Sequence, residues 1–282
     1  LPAGDEATLA QRVRFLNTVI GKMSGVIDAD DGEAASLRPV TPNGSRAFLV
    51  EEFNRILVSR VDFDVPFARG ITVFEEKDDL LPFEEAKLYG HNATHALAAY
   101  VATVRGLEKL ADLREVPGAA PFLRAAFIEE SGGALVRKYA GLDSLFTWDG
   151  YRQYAGDLLQ RMTNPYLRDS VERVGRGPAR KLGWDDRLIG TIRLALSQGI
   201  RPCRYAFGAA AALVELDRSL ADQGSPAPVL DSIWNGSARS SRDRTEVLRL
   251  VGTGLNRLRA WRAGGCGDLE LLFHRDDEFE VF

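Results

Sequence analysis

The spacing of the apolar residues changes near Asp78, and this change restricts what the chain can fold into. Before Asp78 the apolar residues stand in short β-branched or aromatic runs, which predict strands or, for the last two, a short helix: 12–20, 48–53 and 55–61. After Asp78 they recur at intervals of three and four residues, which is typical of amphipathic helices. The sequence therefore predicts a small α/β segment over 1–77 and a mainly α, multi-helical domain over 78–282.

Proline and glycine mark the ends of the predicted helices. Pro82 fits the first turn of a helix, where its missing N–H costs nothing. Glycines that follow helical runs are expected to stop them, at Gly141, Gly199, Gly224 and Gly264. The predicted helices cover residues 82–106, 121–139, 148–162, 186–197, 205–220 and 242–262.

Length and charge narrow the class of protein. The 282 residues are enough for a hydrophobic core, and 45% hydrophobic with 27% charged residues is ordinary for a globular protein. Lys and Arg number 36 against 40 Asp and Glu, so the net charge of -4 disfavours binding to nucleic acid or to an anionic membrane. The longest apolar runs, such as 206–214, are far shorter than the roughly 20 residues of a membrane span. We expect neither nucleic acid nor a membrane as partner.

Cysteine and histidine are scarce. The two cysteines, Cys203 and Cys266, occur in a chain too long to need disulfides, which favours a reducing compartment. With no pattern of a signal peptide, the expected location is the cytoplasm. Three histidines and no CxxC pair offer too few ligands for zinc, so we expect no metal.

No glycine-rich phosphate-binding motif occurs in the sequence. Neither GxGxxG after a strand nor GxxxxGK[ST] is present. Gly264, Gly265 and Gly267 follow a predicted helix and are more typical of a flexible connector. We therefore expect that this chain alone builds no nucleotide site.

A candidate catalytic cluster lies in PFEEAKLYGHNATHALAAY. On a regular helix Asn92 and His95 would lie about 140° and about 80° around the axis from Lys87, on one broad face. Lysine can act as a general base, and Asn and His can donate hydrogen bonds to an oxygen that gains charge. These roles fit proton removal from an alcohol that becomes a carbonyl. The alternative is a solvated Lys87 beside polar groups at a helix contact, with His91 exposed or supporting.

A second cluster is cationic and lies between Asn164 and Leu188. Guanidinium groups match phosphate and carboxylate geometry, which indicates an anionic ligand. The alternative is an ion-pair surface, because acidic residues alternate with the cations at helical spacing. Gly175 and Pro178 interrupt the helix and favour a loop-shaped site. The cations are Arg168, Arg173, Arg176, Arg180, Lys181 and Arg187.

Three segments together resemble one family. The pattern Lys87-x4-Asn92-x2-His95 resembles the signature helix of the polyol-specific long-chain dehydrogenases. EESGGALVRKYAG (129–141) and NPYLRDSVERVGRGPARKLGWDDRLIG (164–190) resemble the same family in the same order. The second of these is most similar to the branch that acts on mannitol 1-phosphate.

The resemblance implies a multi-helical C-terminal dehydrogenase domain preceded by a remnant of a Rossmann-type domain. It implies an NAD-dependent oxidoreductase without metal, converting a hexitol phosphate to a ketose phosphate. In the family the helix lysine is the acid/base and the following Asn and His hold the reacting oxygen, roles that fall on Lys87, Asn92 and His95. The residues expected to contact the substrate are Arg173, Arg176, Lys181 and Arg187.

Two departures from the family keep alternatives open. Family members begin with a glycine-rich nucleotide-binding domain, which we expect this chain to lack, so that the chain alone should be inactive. Gly21 and Lys22 stand where the family usually has Asp and Arg. PFEEAK resembles the branch acting on neutral polyols or uronates at least as closely. A non-catalytic helical module that assembles with another subunit is the third possibility.

Overall fold

The computed structural model describes residues 13–28, 37–42, 44, 46–52, 54–61, 70–235 and 241–274. The short strands all lie near the N-terminus and helices form the remainder, so the predicted mainly α class is confirmed. The chain divides into two compact units, residues 1–87 and residues 88–282. The boundary predicted between residues 77 and 78 stays a prediction.

The described residues of the first unit form five short strands. They are β1 Thr18–Ile20, β2 Ser24–Asp28, β3 Arg46–Val50, β4 Ile56–Ser59 and β5 Phe74–Lys77. The sheet order is β1-β4-β5, with β1 antiparallel and β5 parallel to β4, while β2 and β3 form a separate antiparallel pair. Each predicted run therefore contains or overlaps a strand and not a helix, although in the run 12–20 only Thr18–Ile20 is a strand, and residues 12 and 53 lie outside the described residues. Strand β5 was not predicted because its sequence, FEEK, has only one apolar residue.

Helix α1 (Leu81–Glu85) ends the first unit, and the helices of the second unit follow it along the chain. Pro82 lies in the first turn of α1, as predicted. The following α-helices are α2 Ala93–Val104, α3 Ala119–Ala125, α4 Gly133–Lys138, α5 Trp148–Met162, α6 Val171–Gly175, α7 Pro178–Lys181, α8 Arg187–Ser197, α9 Cys203–Leu216, α10 Ala227–Ile233, α11 Ser241–Ala263 and α12 Leu271–His274.

Two of the predicted helices are interrupted by π-helical segments. The run 82–106 contains the π-helical segment Ala86–Asn92, and the run 121–139 contains the π-helical segment Ala126–Gly132. We call them the first and second π segments. A π-helix contains i→i+5 hydrogen bonds, and such insertions are frequent at functional sites. The remaining predicted helices agree with α5, α8, α9 and α11 to within a few residues, apart from the 3₁₀ turn Arg218–Ala221 that follows α9.

Helix α9 lies at the centre of the second unit. Its residues from Tyr205 to Leu213 are all buried, as expected for a helix that is apolar on every side. It packs against α2, α8 and α11. Four alanines in a row, Ala209 to Ala212, give α9 a thin cross-section that lets its neighbours approach closely. This core supports the helix that carries His95.

Candidate active site

The first π segment carries two of the three predicted catalytic residues. Lys87 lies one residue after its start, Asn92 is its last residue, and both side chains are partly buried. Since the segment is π-helical, the α-helical angle between Lys87 and Asn92 does not apply. Lys87 ends the first compact unit, whereas Asn92 and His95 belong to the second. The joint action of the three residues stays a prediction.

His95 lies on the first turn of α2 and contacts a buried carboxylate. Its Nε2 atom is 3.1 Å from Oδ2 of Asp169, and the exposed fractions of the two side chains are 14% and 6%. Within the described residues, Nε2 has no hydrogen bond of good geometry, so the contact is a close approach of the imidazole to the carboxylate rather than an aligned bond. The imidazole of His95 is thereby held next to a carboxylate 74 residues further along the chain.

Asp169 also binds Arg173, one turn along α6. The Nε atom of Arg173 is 2.9 Å from Oδ1 of Asp169, and Nη2 contacts the same oxygen. Burial alone would raise the pKa of the Asp169 carboxyl, but the contacts with His95 and Arg173 outweigh it and lower the pKa below its usual value. The carboxylate therefore stays charged and holds both predicted site residues. The sequence indicated the pairing with Arg173 but not the one with His95.

Lys181 is buried in a cationic cluster. Its ammonium group donates to the carbonyl oxygen of Arg176, which closes the turn between α6 and α7. Burial, followed by the nearby positive charges of Arg187, Arg180 and Arg176, lowers the pKa of Lys181 to about 8. Only 5% of the Lys181 surface is exposed, which is unusual for lysine. We call Arg176, Arg180, Lys181 and Arg187 the cationic cluster.

Acidic partners balance part of this charge. Nη1 of Arg187 lies 3.0 Å from Oδ1 of Asp186, the residue that precedes α8. Arg173 is paired with Asp169, as described above, although 53% of its side chain is exposed, and the side chain of Arg176 is exposed and has no such carboxylate contact to Asp169. The ion-pair alternative thus describes Arg173 and Arg187, and the anion-binding alternative fits Arg176 and Lys181 better. That any of the four contacts a substrate stays a prediction.

A buried polar network supports the first turn of α2. The Tyr205 hydroxyl is 2.7 Å from Oγ1 of Thr94, and Thr94 donates to the Gly90 carbonyl in the first π segment at 2.8 Å. The Tyr205 hydroxyl oxygen also lies 3.3 Å from Oγ of Ser131 in the second π segment. Within the second unit the two π segments are therefore joined through Tyr205 on the central helix.

Both π segments place a glycine against Tyr151 of α5. A Cβ on Gly90 would lie 2.4 Å from the Tyr151 hydroxyl, and a Cβ on Gly132 would lie 2.6 Å from the ring. Any side chain at these positions would displace a buried aromatic residue. His91, whose position the sequence left open, is buried, and its ring centre is 6.0 Å from that of His95.

Glu130, in the second π segment, caps the N-terminus of the central helix α9 although it is not part of that helix. Its two carboxylate oxygens accept the backbone N–H groups of Arg204 and Tyr205, at 2.8 and 3.1 Å. Pro202 at the cap position offers no side-chain acceptor, so Glu130 satisfies these N–H groups instead. Burial raises the pKa of Glu130 to about 7. Sequence reasoning missed this residue.

The helix N-terminus after the parallel strand pair does not fit the phosphates of a dinucleotide. In the parallel pair of the first unit, β5 leads into α1 through Asp78 and Asp79, and the Asp79 carboxylate already accepts the N–H of Leu81. A pyrophosphate at this helix N-terminus would meet two negative charges and no glycine-rich turn. Also, no group of three His, Cys, Asp or Glu side chains in the described part of the chain could hold a metal ion.

The chain matches one protein family over most of its length. A family model described as the mannitol dehydrogenase C-terminal domain matches residues 79–252, which include every predicted site residue. The chain therefore belongs to this family, as the resemblance predicted. No helix among the described residues is long and apolar enough to cross a membrane.

One sequence relative and two solved structures are similar to this chain over most of its length. The chain is 32% identical over 232 residues to a mannitol-1-phosphate 5-dehydrogenase of Bacillus licheniformis, covering 78% of this chain and 55% of that relative. A D-sorbitol dehydrogenase structure in substrate-free form matches with a TM-score of 0.66 at 18% identity, over 92% of this chain and 55% of the other. A Pseudomonas fluorescens mannitol 2-dehydrogenase in ternary complex with NAD and D-mannitol matches with a TM-score of 0.62 at 16% identity, over 98% and 57%. These structures share the fold, and the chain spans about half the length of the relatives it matches.

Proposed function

We propose that this chain is the substrate-binding and catalytic part of an NAD-dependent oxidoreductase that interconverts a hexitol phosphate and a ketose phosphate. The relationship to a mannitol-1-phosphate 5-dehydrogenase supports the substrate class. NAD is proposed because a structural neighbour was solved with it. Since the helix N-terminus after β5 does not fit its phosphates, we propose that residues outside this chain bind them and that the chain alone is inactive.

In this proposal three residues act on the reacting hydroxyl. Oxidation of the alcohol to a carbonyl breaks its O–H and C–H bonds: the neutral amine of Lys87 accepts the proton of the hydroxyl, and the hydride of the carbon would pass to NAD when it is bound. Asn92 and His95 donate hydrogen bonds to the same oxygen, which stabilises the negative charge that develops there. No metal is required for this division of roles.

The observation that carries the phosphate assignment is the burial of Lys181 among arginines. A neutral hexitol gains little from several cations, whereas a phosphate dianion interacts with each of them. The Lys181 ammonium donates to the backbone carbonyl of Arg176, which places these two cationic residues at the two ends of one turn. We propose that the phosphate binds there and that the carbon to be oxidised lies toward His95.

A neutral polyol or a uronate is the second candidate. It is favoured by the carboxylate partners of Arg173 and Arg187, which reduce the positive charge available to a phosphate. A non-catalytic role as an assembly module is the third candidate, and we propose it only if no turnover is found. Both cysteines are free thiols, which agrees with the cytoplasmic location that we propose.

Substrate profiling of the complete enzyme tests the proposal. With NAD, we expect kcat/KM for mannitol 1-phosphate to exceed that for free mannitol by at least about 10-fold, because one charge-assisted contact contributes about 1.5 to 3 kcal/mol. Equal or higher kcat/KM for free hexitols would favour the neutral-polyol candidate. Absence of turnover with hexitols, hexitol phosphates and uronates would favour the assembly module.

A further inference from the structure

The carboxylate of Asp169 contacts two of the predicted site residues, His95 and Arg173. Asp169 lies between α2 and α6 and is 8% exposed, so its charge is largely removed from water. A buried carboxylate is costly unless it is paired, and here its partners are His95 and Arg173. One of them comes from α2 and the other from α6. Asp169 therefore joins the helix of the proposed reaction centre to the segment of the proposed substrate site.

The backbone around Asp169 is fixed from other directions. Its carbonyl accepts the N–H of Leu110 at 3.0 Å, and Tyr100 donates to the carbonyl of Gly175 at the end of α6, at 2.9 Å. Tyr100 lies on α2 and Leu110 lies in the 3₁₀ turn Leu110–Glu115 that follows α2, so the segment from Asp169 to Gly175 is held at both of its ends. The backbone that carries Asp169 is thus fixed by hydrogen bonds, so its carboxylate is held in place beside His95 and Arg173.

We propose that Asp169 is a positioning residue: it orients the imidazole of His95 and the guanidinium of Arg173 for the same substrate molecule. Because Nε2 is the ring nitrogen that lies 3.1 Å from the Asp169 carboxylate, Nδ1 is the ring nitrogen left for the reacting oxygen. Because Asp169 balances the charge of Arg173, Arg173 donates hydrogen bonds to hydroxyl groups of the substrate. Arg176 and Lys181 bind the phosphate. This inference rests on the proposed function for its kinetic part.

Kinetics of the complete enzyme test this role. Asp169→Asn keeps the size of the side chain and removes its charge, so we expect kcat/KM for the hexitol substrate to fall by about 10²-fold, mainly in kcat, because misplaced groups cost rate more than binding. Asp169→Glu restores the charge and should recover part of kcat. The matched control is Asp157→Asn on α5, which removes another Asp–Arg pair with the same i, i+4 spacing and should change kcat less than about twofold.

A second measurement does not depend on activity. In the 282-residue chain, carboxyl ¹³C NMR should show that Asp169 titrates below the usual range of aspartate, and both His95→Ala and Arg173→Ala should raise its pKa. An Asp169 that titrates as an exposed aspartate, or an Asp169→Asn enzyme as active as Asp157→Asn, overturns the proposal. A wild-type enzyme without hexitol turnover would overturn the proposed function and the kinetic role of Asp169 together. The NMR titration would then still decide whether Asp169 holds the two side chains.

Discussion

The carboxylate of Glu130 accepts the backbone N–H of Tyr205 at 3.1 Å and lies 3.5 Å from the guanidinium of Arg204. Burial raises the pKa of Glu130 from 4.5 to about 7, so the folded protein binds this proton more tightly than the unfolded chain does. The folded state is therefore stabilised below about pH 4.5 relative to higher pH, and this contribution is lost as the pH rises to about 7. The hydrogen bond from the Tyr205 N–H and the nearby guanidinium of Arg204 favour the charged carboxylate, so they limit the rise in the pKa of Glu130.

We expect Glu130→Gln to flatten the pH dependence of stability. A pKa difference of this size corresponds to a change on the order of 3 kcal/mol in the free energy of unfolding between pH 4.5 and pH 7. Urea denaturation at several pH values measures it. Glu129→Gln, at the neighbouring exposed residue, is the control and should leave the slope as in the wild type. An unchanged slope in Glu130→Gln would show that Glu130 does not titrate in this range.

The close approach of α11 to α9 predicts opposite effects at two glycines of α11. A Cβ on Gly254 would lie 2.5 Å from the backbone oxygen of Ala206, whereas a Cβ on Gly252 would have only a carbon of Pro226 at 4.0 Å. Gly254→Ala should destabilise the protein by about 1 to 3 kcal/mol through overpacking. Gly252→Ala should be neutral or stabilise it by up to about 1 kcal/mol, since alanine favours helix. Thermal unfolding compares the two variants, and equal effects would contradict the packing described.

The chain alone is predicted not to bind the dinucleotide. Asp78 and Asp79 occupy the helix N-terminus after β5, where a pyrophosphate would need N–H groups and small residues. Calorimetric titration of the 282-residue chain with NADH should show no binding in the micromolar range. A Kd of a few micromolar would mean that this chain forms a nucleotide site not recognised in its fold.

Substitution in the cationic cluster should separate charged from neutral substrates. Arg176→Ala removes a cation beside Lys181, so KM for a hexitol phosphate should rise about 10- to 150-fold, equivalent to 1.5 to 3 kcal/mol. KM for a free hexitol should change much less. Arg152→Ala, an exposed arginine over Trp148 on α5, is the control. If both substrates weaken equally, Arg176 does not bind the phosphate.

Sequence patterns predicted the bounds of a helix well where its apolar residues recur at regular intervals of three and four from start to end. The bounds of α5 agree with the prediction of 148–162 because its apolar positions repeat without interruption. The π segments were not predicted, since the prediction assumed a regular α-helical period of 3.6 residues throughout each run. Their positions depend on packing of Gly90 and Gly132 against Tyr151, a contact between distant parts of the sequence.

The candidate site was predictable in its residue types but not in its pairings. The spacing of Asp169 and Arg173 at i, i+4 indicated an ion pair, and the structure contains it. The contact between His95 and Asp169 depends on how α2 packs beside α6, which no local pattern specifies. The burial of Lys181 was likewise hidden, because a sequence rich in arginine is typical of an exposed surface.

The most direct test of the central claim is the turnover of a Lys87→Ala variant of the complete enzyme with NAD and mannitol 1-phosphate. Loss of a positioned acid/base should lower kcat by about 10² to 10⁴-fold, with partial recovery when a small primary amine is added. Lys138→Ala, at an exposed lysine on α4, is the control and should retain normal kcat. A kcat of Lys87→Ala within about twofold of the wild type would contradict the assignment of Lys87 as the acid/base.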